Sequence, residues 1–183
     1  MDYYLDIKIQ PDTEMRENEL LNKVYAKLHK ALYDLQANDI GISFPEYHII
    51  LGKTLRLHSS QQRLTELQQL NWLGGLLGYC KLSNIQTIPD NVQYRTVSRI
   101  HPTMTTAKLQ RLIKRNTIPK TDHKHYKVTM LAKSLDNPYL ELQSTSNGQK
   151  YRHYIQFGKL QPTLIHGHFN HFGLSKTATV PWF

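Results

Sequence analysis

The sequence predicts an α+β protein in which an N-terminal ferredoxin-like (RRM-like) βαββαβ domain precedes a less regular domain with a basic helix and a β-hairpin. Three observations lead to this prediction: strand-like and helix-like segments alternate up to Pro89, that regularity then ends, and the charge changes sign. Residues 1–90 hold 9 Lys and Arg against 11 Asp and Glu, whereas residues 91–183 hold 14 against 3. We therefore expect one domain at 1–90 and a second at 91–183.

The first half of the chain alternates two hydrophobic periodicities. Leu21, Tyr25 and Leu28 begin a series spaced by three and four, continued by Leu32 and Leu35, which is the pattern of an amphipathic helix. The strand candidates are instead rich in aromatic and β-branched residues. This order predicts two helices on one face of an antiparallel sheet. The predicted elements are strand Tyr3–Ile9, helix Glu14–Gln36, strands Ile40–Phe44 and Thr54–His58, a helix capped by Ser59 or Ser60 and carrying Leu64, Leu67 and Leu70, and strand Tyr79–Ile88.

The second half contains shorter and more varied segments. Asn147-Gly148 is a strong two-residue hairpin turn signal between two alternating segments. The boundary between the halves falls near Pro89 to Asn91, where a turn pair follows the last strand. The predicted elements are an extended segment Val92–Ile100, helices Thr105–Asn116 and Asp122–Leu135, and hairpin strands Tyr139–Ser146 and Lys150–Phe157.

The excess of positive charge favours a polyanionic partner. The chain carries a net charge of +9, and almost no acid is present in the second half to pair with the cations there, Arg95 among them. In the predicted helix Thr105–Asn116, Leu109, Leu112 and Ile113 form an apolar stripe opposite a basic arc whose spacing suits successive phosphates. A solvated helix face is the alternative explanation. The predicted nucleic-acid contacts on this helix are Lys108, Arg111, Lys114 and Arg115.

Composition also excludes several classes of protein. Cys80 is the one cysteine, which excludes an intrachain disulfide framework and a multi-cysteine zinc site. The start of the chain has no signal-peptide pattern, and no apolar run approaches the roughly 20 residues that cross a bilayer. We expect a cytoplasmic protein with no membrane partner. The histidine pairs at 123/125 and 166/168 have few cysteine or carboxylate neighbours, so a zinc site is disfavoured and we expect neither metal nor cofactor.

His29 is the candidate catalytic residue. It follows Leu28 and lies at the margin of the apolar stripe, four residues after Tyr25. A partly exposed histidine titrates near neutral pH and can act as a general base. The alternative is a helix-edge histidine without chemistry.

The predicted hairpin tip, residues 144–149, is a second candidate. Ser144 and Ser146 supply hydroxyls that can hold a phosphate or a ribose, although a solvated turn has the same composition. Tyr151 and Tyr154 follow, and they can either stack on bases or pack across strands. We expect these two tyrosines to face opposite sides of the strand.

Seven motifs occur in order along nearly the whole chain and together resemble the type I-F CRISPR RNA-processing endoribonuclease family. They are MDYYLDIKI at 1–9, KLHKAL at 27–32, GISFP at 41–45, YRTVSR at 94–99, LQSTSNGQKYR at 142–152, GLSK at 173–176 and VPWF at 180–183. The resemblance implies a metal-independent enzyme that binds the stem-loop of a CRISPR repeat transcript and cuts at the 3′ base of the stem. The 2′-hydroxyl attacks the adjacent phosphate and leaves a 2′,3′-cyclic phosphate and a 5′-hydroxyl. The enzyme then stays on the crRNA with the other subunits of the type I-F interference complex.

The resemblance also implies roles for individual residues. The general base falls on His29, the serine that aligns the 2′-hydroxyl on Ser144, and a second serine at the phosphate on Ser146. The aromatic ring beneath the terminal base pair falls on Tyr151, and the arginine that reads a guanine edge falls on Arg99. The further predicted RNA-binding residues are His101, Lys108, Arg111, Lys114, Arg115 and Phe172.

Three departures from the family pattern bear on these roles. The family often has a tyrosine where this chain has Phe172, so a phenol that would orient His29 is missing, and neighbouring His171 either replaces it or does not. His101 stands where the family has a base-reading glutamine, which changes readout at that base pair. The basic helix is diluted, so we expect weaker and more salt-sensitive phosphate contacts; the neutral residues there are Gln110, Leu112 and Asn116.

Two alternatives to the nuclease remain. A catalytically silent crRNA hairpin-binding subunit would need the basic half and the aromatic residues, but not the chemistry of His29. A double-stranded nucleic-acid binder of another lineage would make the motif matches coincidental. Strand cleavage separates the first alternative from the nuclease, because affinity alone is common to both.

Overall fold

The N-terminal half forms a five-stranded sheet in the computed structural model, which describes residues 1–101, 106–132, 136–144 and 148–183. The strands of the whole chain are β1 Tyr3–Ile9, β2 Gly41–Ser43, β3 Thr54–Ser59, β4 Cys80–Leu82, β5 Gln86–Thr87, β6 Gln93–Arg95, β7 Val97–Ile100, β8 Tyr139–Gln143, β9 Lys150–Phe157 and β10 Val180–Trp182. The helices are α1 Glu17–Asp34, α2 Gln61–Gln69, α3 Thr106–Lys114 and α4 His123–Ala132, with short 3₁₀ segments at Gly74–Tyr79 and Lys120–Asp122. The prediction of an α+β protein with antiparallel sheets is confirmed.

The first sheet has the strand order β2-β3-β1-β4, with antiparallel neighbours, and β5 also pairs with β1. Side chains alternate along β1, so Leu5, Ile7 and Ile9 point into the core, and Leu5 lies opposite Leu57 of β3. The stripe predicted on α1 is buried from Leu21 to Leu32, while Leu35 is only half-buried. Each large apolar side chain removed from water in this way contributes about 1.5–3 kcal/mol to folding.

Three predicted helix boundaries in this half were wrong, and one of them is the end of α1, which lies at Asp34 rather than Gln36. α1 begins at Glu17 rather than Glu14, because the Asp12 carboxylate accepts hydrogen bonds from the Glu14 and Met15 amides and forms a turn. α2 ends at Gln69, which leaves Leu70 largely exposed. Ser60 is its N-cap, as predicted, since its side chain accepts from the Arg63 amide.

The predicted strand Tyr79–Ile88 was also wrong, because it is divided into β4 and β5. The Asp6 amide donates to the Ser83 hydroxyl at 2.9 Å instead of to a backbone carbonyl. The Ser83 amide still donates to the Asp6 carbonyl at 2.9 Å, so this pair of residues keeps one of its two backbone bonds, and β4 ends at Leu82.

The second half forms a three-stranded sheet of order β7-β9-β8 and a two-stranded ribbon of β6 and β10. The predicted extended segment Val92–Ile100 therefore divides between two sheets. The predicted hairpin is present, but β8 ends at Gln143, and the Ser144 amide and carbonyl bond to Gln149 and Gly148 respectively. Residues 145–147, and with them the hairpin-turn asparagine, lie outside the described residues. The ends of both predicted helices at 102–105 and 133–135 lie outside them too.

The C-terminal segment joins the two halves. Val180 packs on Gly41, where an added Cβ would come within 2.6 Å of Val180 Cγ1, so only glycine fits. Arg56 forms a two-point ion pair with Asp6, at 2.7 and 2.9 Å, and donates to the Phe183 carbonyl at 2.8 Å. Two residues of the VPWF motif thus stabilise the fold.

Arg95 is a cation of the basic half whose guanidinium is partly engaged within the protein. Its guanidinium donates to the Gly158 carbonyl at 2.9 and 2.7 Å and lies 4.6 Å from the ring centroid of Trp182. These contacts use donors on Nε and on one terminal nitrogen of the half-buried side chain, and a contact of Arg95 with an anion stays a prediction. No helix in the described part of the chain is long and apolar enough to cross a membrane.

Candidate active site

A cleft of about 360 Å³ lies where α1, β7 and the loop at 169–176 meet. It brings together four of the predicted site residues, which are far apart in sequence. Among the described residues, its lining contains three histidines, two cations and no carboxylate. The residues that line it are His29, Ser98, Arg99, His101, Asn170, His171, Phe172, Leu174, Ser175 and Lys176.

A larger groove, of about 970 Å³, lies between the start of α1, residues 49–52 and β8. None of the predicted site residues that the structure describes lines it. Its four carboxylates outnumber its three cations; the acidic residues are Glu17, Glu19, Asp136 and Glu141, and the basic ones are Arg16, Lys23 and Lys150. The groove is the larger of the two cavities, but its carboxylates would repel a polyanion. The lining of the smaller cleft has no carboxylate among the described residues. We take the smaller cleft as the candidate site.

His29 is held in one orientation by two contacts. Its Nδ1 lies 2.9 Å from the His171 carbonyl oxygen, and its ring stacks on Phe172 with centroids 3.6 Å apart and planes 8° apart. A carbonyl oxygen only accepts, so Nδ1 carries the proton and Nε2 of the neutral ring is the acceptor. His29 is half-buried on α1, which confirms the prediction of a partly exposed position.

Phe172 is in turn held in place by contacts with the buried Tyr25. The buried Tyr25 hydroxyl donates to the Phe172 carbonyl at 3.0 Å, and the two rings stack with centroids 6.0 Å apart. Burial raises the pKa of Tyr25 well above its ordinary value, so its hydroxyl remains a neutral donor. The phenol missing at position 172 is thus not needed to orient His29, because the neighbouring main-chain carbonyl does so.

The loop at 169–174 has a geometry set by its own side chains and by β2. The Asn170 carboxamide oxygen accepts from the Phe172 and Leu174 amides at 2.9 and 3.1 Å. Gly173 has φ +70°, and an added Cβ there would lie 2.5 Å from Ile42 Cγ2. Its carbonyl accepts from the Ile42 amide at 3.0 Å. The GLSK glycine therefore sets the approach of this loop to the sheet.

Arg99 and Tyr151 form the side of the site that the second sheet supplies. The Arg99 guanidinium lies 5.6 Å from the Tyr151 ring centroid, and its Nε is buried without a partner among the described residues. The nearby Arg99 charge, together with burial and Lys176, lowers the pKa of His101. Tyr154 lies on the face of β9 opposite Tyr151, where it packs against Tyr139. The prediction that the two tyrosines face opposite sides of the strand is confirmed.

His153 does not line the cleft but packs behind it against Phe172, and the sequence did not single it out. It is fully buried on β9, its ring centroid lies 4.7 Å from that of Phe172, and neither ring nitrogen has a partner within the described chain. Burial, with the charge of Arg99 next, lowers its pKa to about 3. The signal was available, because Tyr151, His153 and Ile155 share one face of the strand.

Not all predicted residues meet in the cleft. Ser144 follows β8 and is half-buried, but it is not among the residues that line the cleft. Ser146 lies outside the described residues. On α3, Leu109 is buried and the predicted basic arc is exposed, so the two-faced helix is confirmed; the exposed cations are Lys108, Arg111, Lys114 and Arg115. No cluster of His, Cys, Asp and Glu in the described ranges could hold a metal ion.

The fold and the cleft define an α+β protein with a cationic histidine site suited to an anionic ligand. A model of the family described as CRISPR-associated protein (Cas_Csy4) matches residues 4–183. The CRISPR-associated endonuclease Cas6/Csy4 of Escherichia coli (strain UTI89 / UPEC) is 35% identical over 184 residues, covering 100% of both chains. The protein of the same name from Pseudomonas aeruginosa (strain UCBPP-PA14) is 36% identical over 187 residues, again covering 100% of both. The chain belongs to this family, which confirms the type I-F resemblance of its motifs.

Proposed function

We propose that this protein is a metal-independent endoribonuclease that binds the stem-loop of CRISPR repeat transcripts and cuts at the 3′ base of the stem. The observation that carries the proposal is the geometry of His29, whose Nδ1 is held 2.9 Å from the His171 carbonyl in a cleft whose described lining has cations and no carboxylate. The two relatives named as CRISPR-associated endonucleases support the same activity. A cleft without carboxylates offers no ligand set for the two metal ions of a metal-dependent nuclease.

The chemistry needs one proton acceptor and an aligned nucleophile. His29 Nε2 takes the proton of the 2′-hydroxyl, and the 2′-oxygen forms a bond to phosphorus. The bond from phosphorus to the 5′-oxygen breaks, and that oxygen takes a proton from water, which leaves a 2′,3′-cyclic phosphate and a 5′-hydroxyl. A positioned base typically contributes a factor of about 10²–10⁴, and rigid alignment of the RNA supplies much of the remainder.

The remaining predicted residues hold the RNA in place. Arg99 reads a guanine edge and Tyr151 stacks beneath the terminal base pair, which their adjacency supports. His101 and Phe172 contact RNA at the cleft, and the α3 cations contact stem phosphates. Ser144 aligns the 2′-hydroxyl and Ser146 lies at the phosphate; for these two the family resemblance is the support.

Three wider features belong to the same proposal. The strand order β2-β3-β1-β4, with α1 and α2 between strands, supports a ferredoxin-like fold for residues 1–90. Residues 91–183 are the basic RNA-binding domain. After the cut the protein stays on the mature crRNA, in the cytoplasm, as a subunit of the type I-F interference complex.

The test is incubation of the protein with a type I-F repeat hairpin RNA in excess EDTA. We expect one cut at the 3′ base of the stem and a product that ends in a 2′,3′-cyclic phosphate. A hairpin with 2′-deoxyribose at the nucleotide before the cut should bind equally well and remain intact. Tight binding without cleavage across a panel of repeat hairpins would instead identify the silent crRNA-binding subunit.

A further inference from the structure

Lys176 is a cation of the cleft that the proposed function does not use. It is the last residue of the GLSK motif, and its side chain is exposed at the opening that His29 and Arg99 also line. Within the described chain, no carboxylate oxygen lies within 4.0 Å of its ammonium group. The cleft thus holds a second positive charge beside the proposed base.

The backbone on both sides of Lys176 is fixed. The buried Ser175 donates its amide to the Val97 carbonyl of β7 at 2.9 Å. Its hydroxyl accepts from the amides of Thr177 and Ala178, at 3.3 and 3.0 Å. Lys176 is therefore displayed by a closed turn attached to the strand that carries Arg99, and only its side chain remains to be ordered when an anion binds.

Lys176 lines the same cleft as His29, Arg99 and His101. The charge of Lys176 acts on His101, where it is the third cause of the lowered pKa after Arg99 and burial. The groups that face this part of the cleft are His29 from α1, Arg99 and His101 from β7 and its end, and His171 from the 169–176 loop. All of them are neutral or positive at neutral pH, so the cleft attracts an anion.

The positive charge of Lys176 would stabilise the transition state of the proposed reaction. When the 2′-oxygen attacks, negative charge builds up on the non-bridging oxygens of the scissile phosphate, and a cation beside those oxygens stabilises that state more than the ground state. Arg99 lies over Tyr151 and is assigned to a base edge. We propose that the Lys176 ammonium binds a non-bridging oxygen of the scissile phosphate and is a catalytic residue of this site; the inference rests on the proposed ribonuclease function.

The first experiment measures single-turnover cleavage of the repeat hairpin at saturating protein. Lys176→Ala should lower the cleavage rate constant at least tenfold, and raise the Kd of the 2′-deoxy hairpin no more than about threefold. Lys176→Arg should restore most of the rate, because it restores the charge. Lys159→Ala removes an exposed cation of the basic half outside the cleft and should leave the rate constant unchanged.

A binding measurement tests the contact independently of cleavage. The cut hairpin is prepared with a 3′-terminal cyclic phosphate and, separately, with a 3′-hydroxyl. Wild-type protein should bind the phosphate-ended RNA several-fold more tightly, and Lys176→Ala should abolish that difference. If the difference persists in Lys176→Ala, or if this variant cuts at the wild-type rate, the inference fails while the proposed function stands. A wild type that binds the hairpin but never cuts it would contradict the proposed function, and the phosphate-ended comparison would still decide whether Lys176 binds a phosphate.

Discussion

At the scale of single residues, the structure assigns Phe172 a position against the His29 ring. The family often has a tyrosine at position 172, and the resemblance therefore implied that this chain lacks a phenol that would orient His29. The His171 carbonyl instead holds Nδ1, while the Phe172 ring covers one face of the imidazole at 3.6 Å. Stacking and a main-chain acceptor are therefore sufficient to present Nε2 to a substrate.

Phe172→Ala should lower the single-turnover cleavage rate constant by about ten- to a hundredfold, because His29 loses the ring that restrains it and small misplacements of catalytic groups are costly. Phe172→Tyr keeps the stacking surface and should cut within about threefold of wild type. Kinetics on the repeat hairpin, with thermal unfolding as the control for folding, provide the measurement. Wild-type cleavage by Phe172→Ala would show that the stacked ring has no part in catalysis.

Arg99→Ala should relax base preference at one position of the stem at a cost of about 1–3 kcal/mol, because a guanidinium reads a guanine edge through paired donors. The measurement is the Kd of hairpins that differ at the terminal base pairs. Lys108→Ala is the matched control, since removing a cation that binds a phosphate weakens binding to all stems equally. Equal effects on every stem sequence with Arg99→Ala would identify Arg99 as a phosphate-binding residue as well.

At the scale of elements, α3 presents its cations on one exposed arc and buries Leu109 beneath them. Leu112 and Ile113 of the same helix are only half-buried, so the buried face is narrower than the predicted apolar stripe. The helix's density of cations is modest, so we expect a nucleic acid bound there to have few neutralised phosphates and a correspondingly small contribution of α3 to the salt dependence of binding.

Lys114→Gln combined with Arg115→Gln should weaken hairpin binding equally on all stems, and should reduce the slope of log K against log salt by roughly one for each phosphate that the protein no longer neutralises. The slope is measured by titrating hairpin binding between low and physiological salt. Lys81→Gln, on the edge strand β4, removes a charge far from α3 in sequence and should leave the slope unchanged. An unchanged slope in the double variant would place α3 outside the RNA interface.

The sequence predictions were accurate where a feature depends on local periodicity, and they failed where it depends on contacts between residues far apart in the sequence. β1 has the predicted bounds, and the buried face of α1 is as predicted from Leu21 to Leu32, because both depend on local periodicity. At the break between β4 and β5, the Asp6 amide donates to the hydroxyl of Ser83, 77 residues away, and not to its carbonyl. Periodicity carries no information about such a contact.

The cleft illustrates the same limit at the site. Motif resemblance identified His29 and Arg99, but the contact that orients His29 joins residues 142 positions apart. Alternation along β9 places His153 on the same face as Tyr151 and Ile155, but its full burial depends on the pairing of β9 with β7 and β8. Lys176 was noted only as part of a motif, since its place in the cleft depends on the bond between Ser175 and Val97.

At the scale of the whole molecule, two fully buried histidines make stability depend on pH. Burial lowers the pKa of His58 and of His153 from 6.5 to about 3, with the charge of Arg56 adding to the first and that of Arg99 to the second. Because both folded-state pKa values are depressed, the unfolded chain binds more protons between pH 6.5 and pH 3. Their contribution to stability is complete above pH 6.5 and is lost as the pH falls.

Between pH 7 and pH 5 the free energy of unfolding should fall by about 2 kcal/mol for each of these histidines. Urea denaturation at the two pH values measures this fall. His153→Phe preserves the ring volume and should remove about half of it, whereas His48→Ala, on an exposed loop, should remove none. Equal pH dependence in wild type and His153→Phe would show that His153 is protonated in the folded protein.

The central claim is that His29 is the general base of an RNA-cleaving cleft, and His29→Ala tests it most directly. We predict that this variant binds the repeat hairpin with nearly wild-type Kd, because one neutral side chain contributes little to phosphate affinity, and that its single-turnover cleavage in EDTA is abolished. His48→Ala should cut normally. A His29→Ala protein that still cuts at the same phosphate, or that loses hairpin affinity together with cleavage, would contradict the assignment.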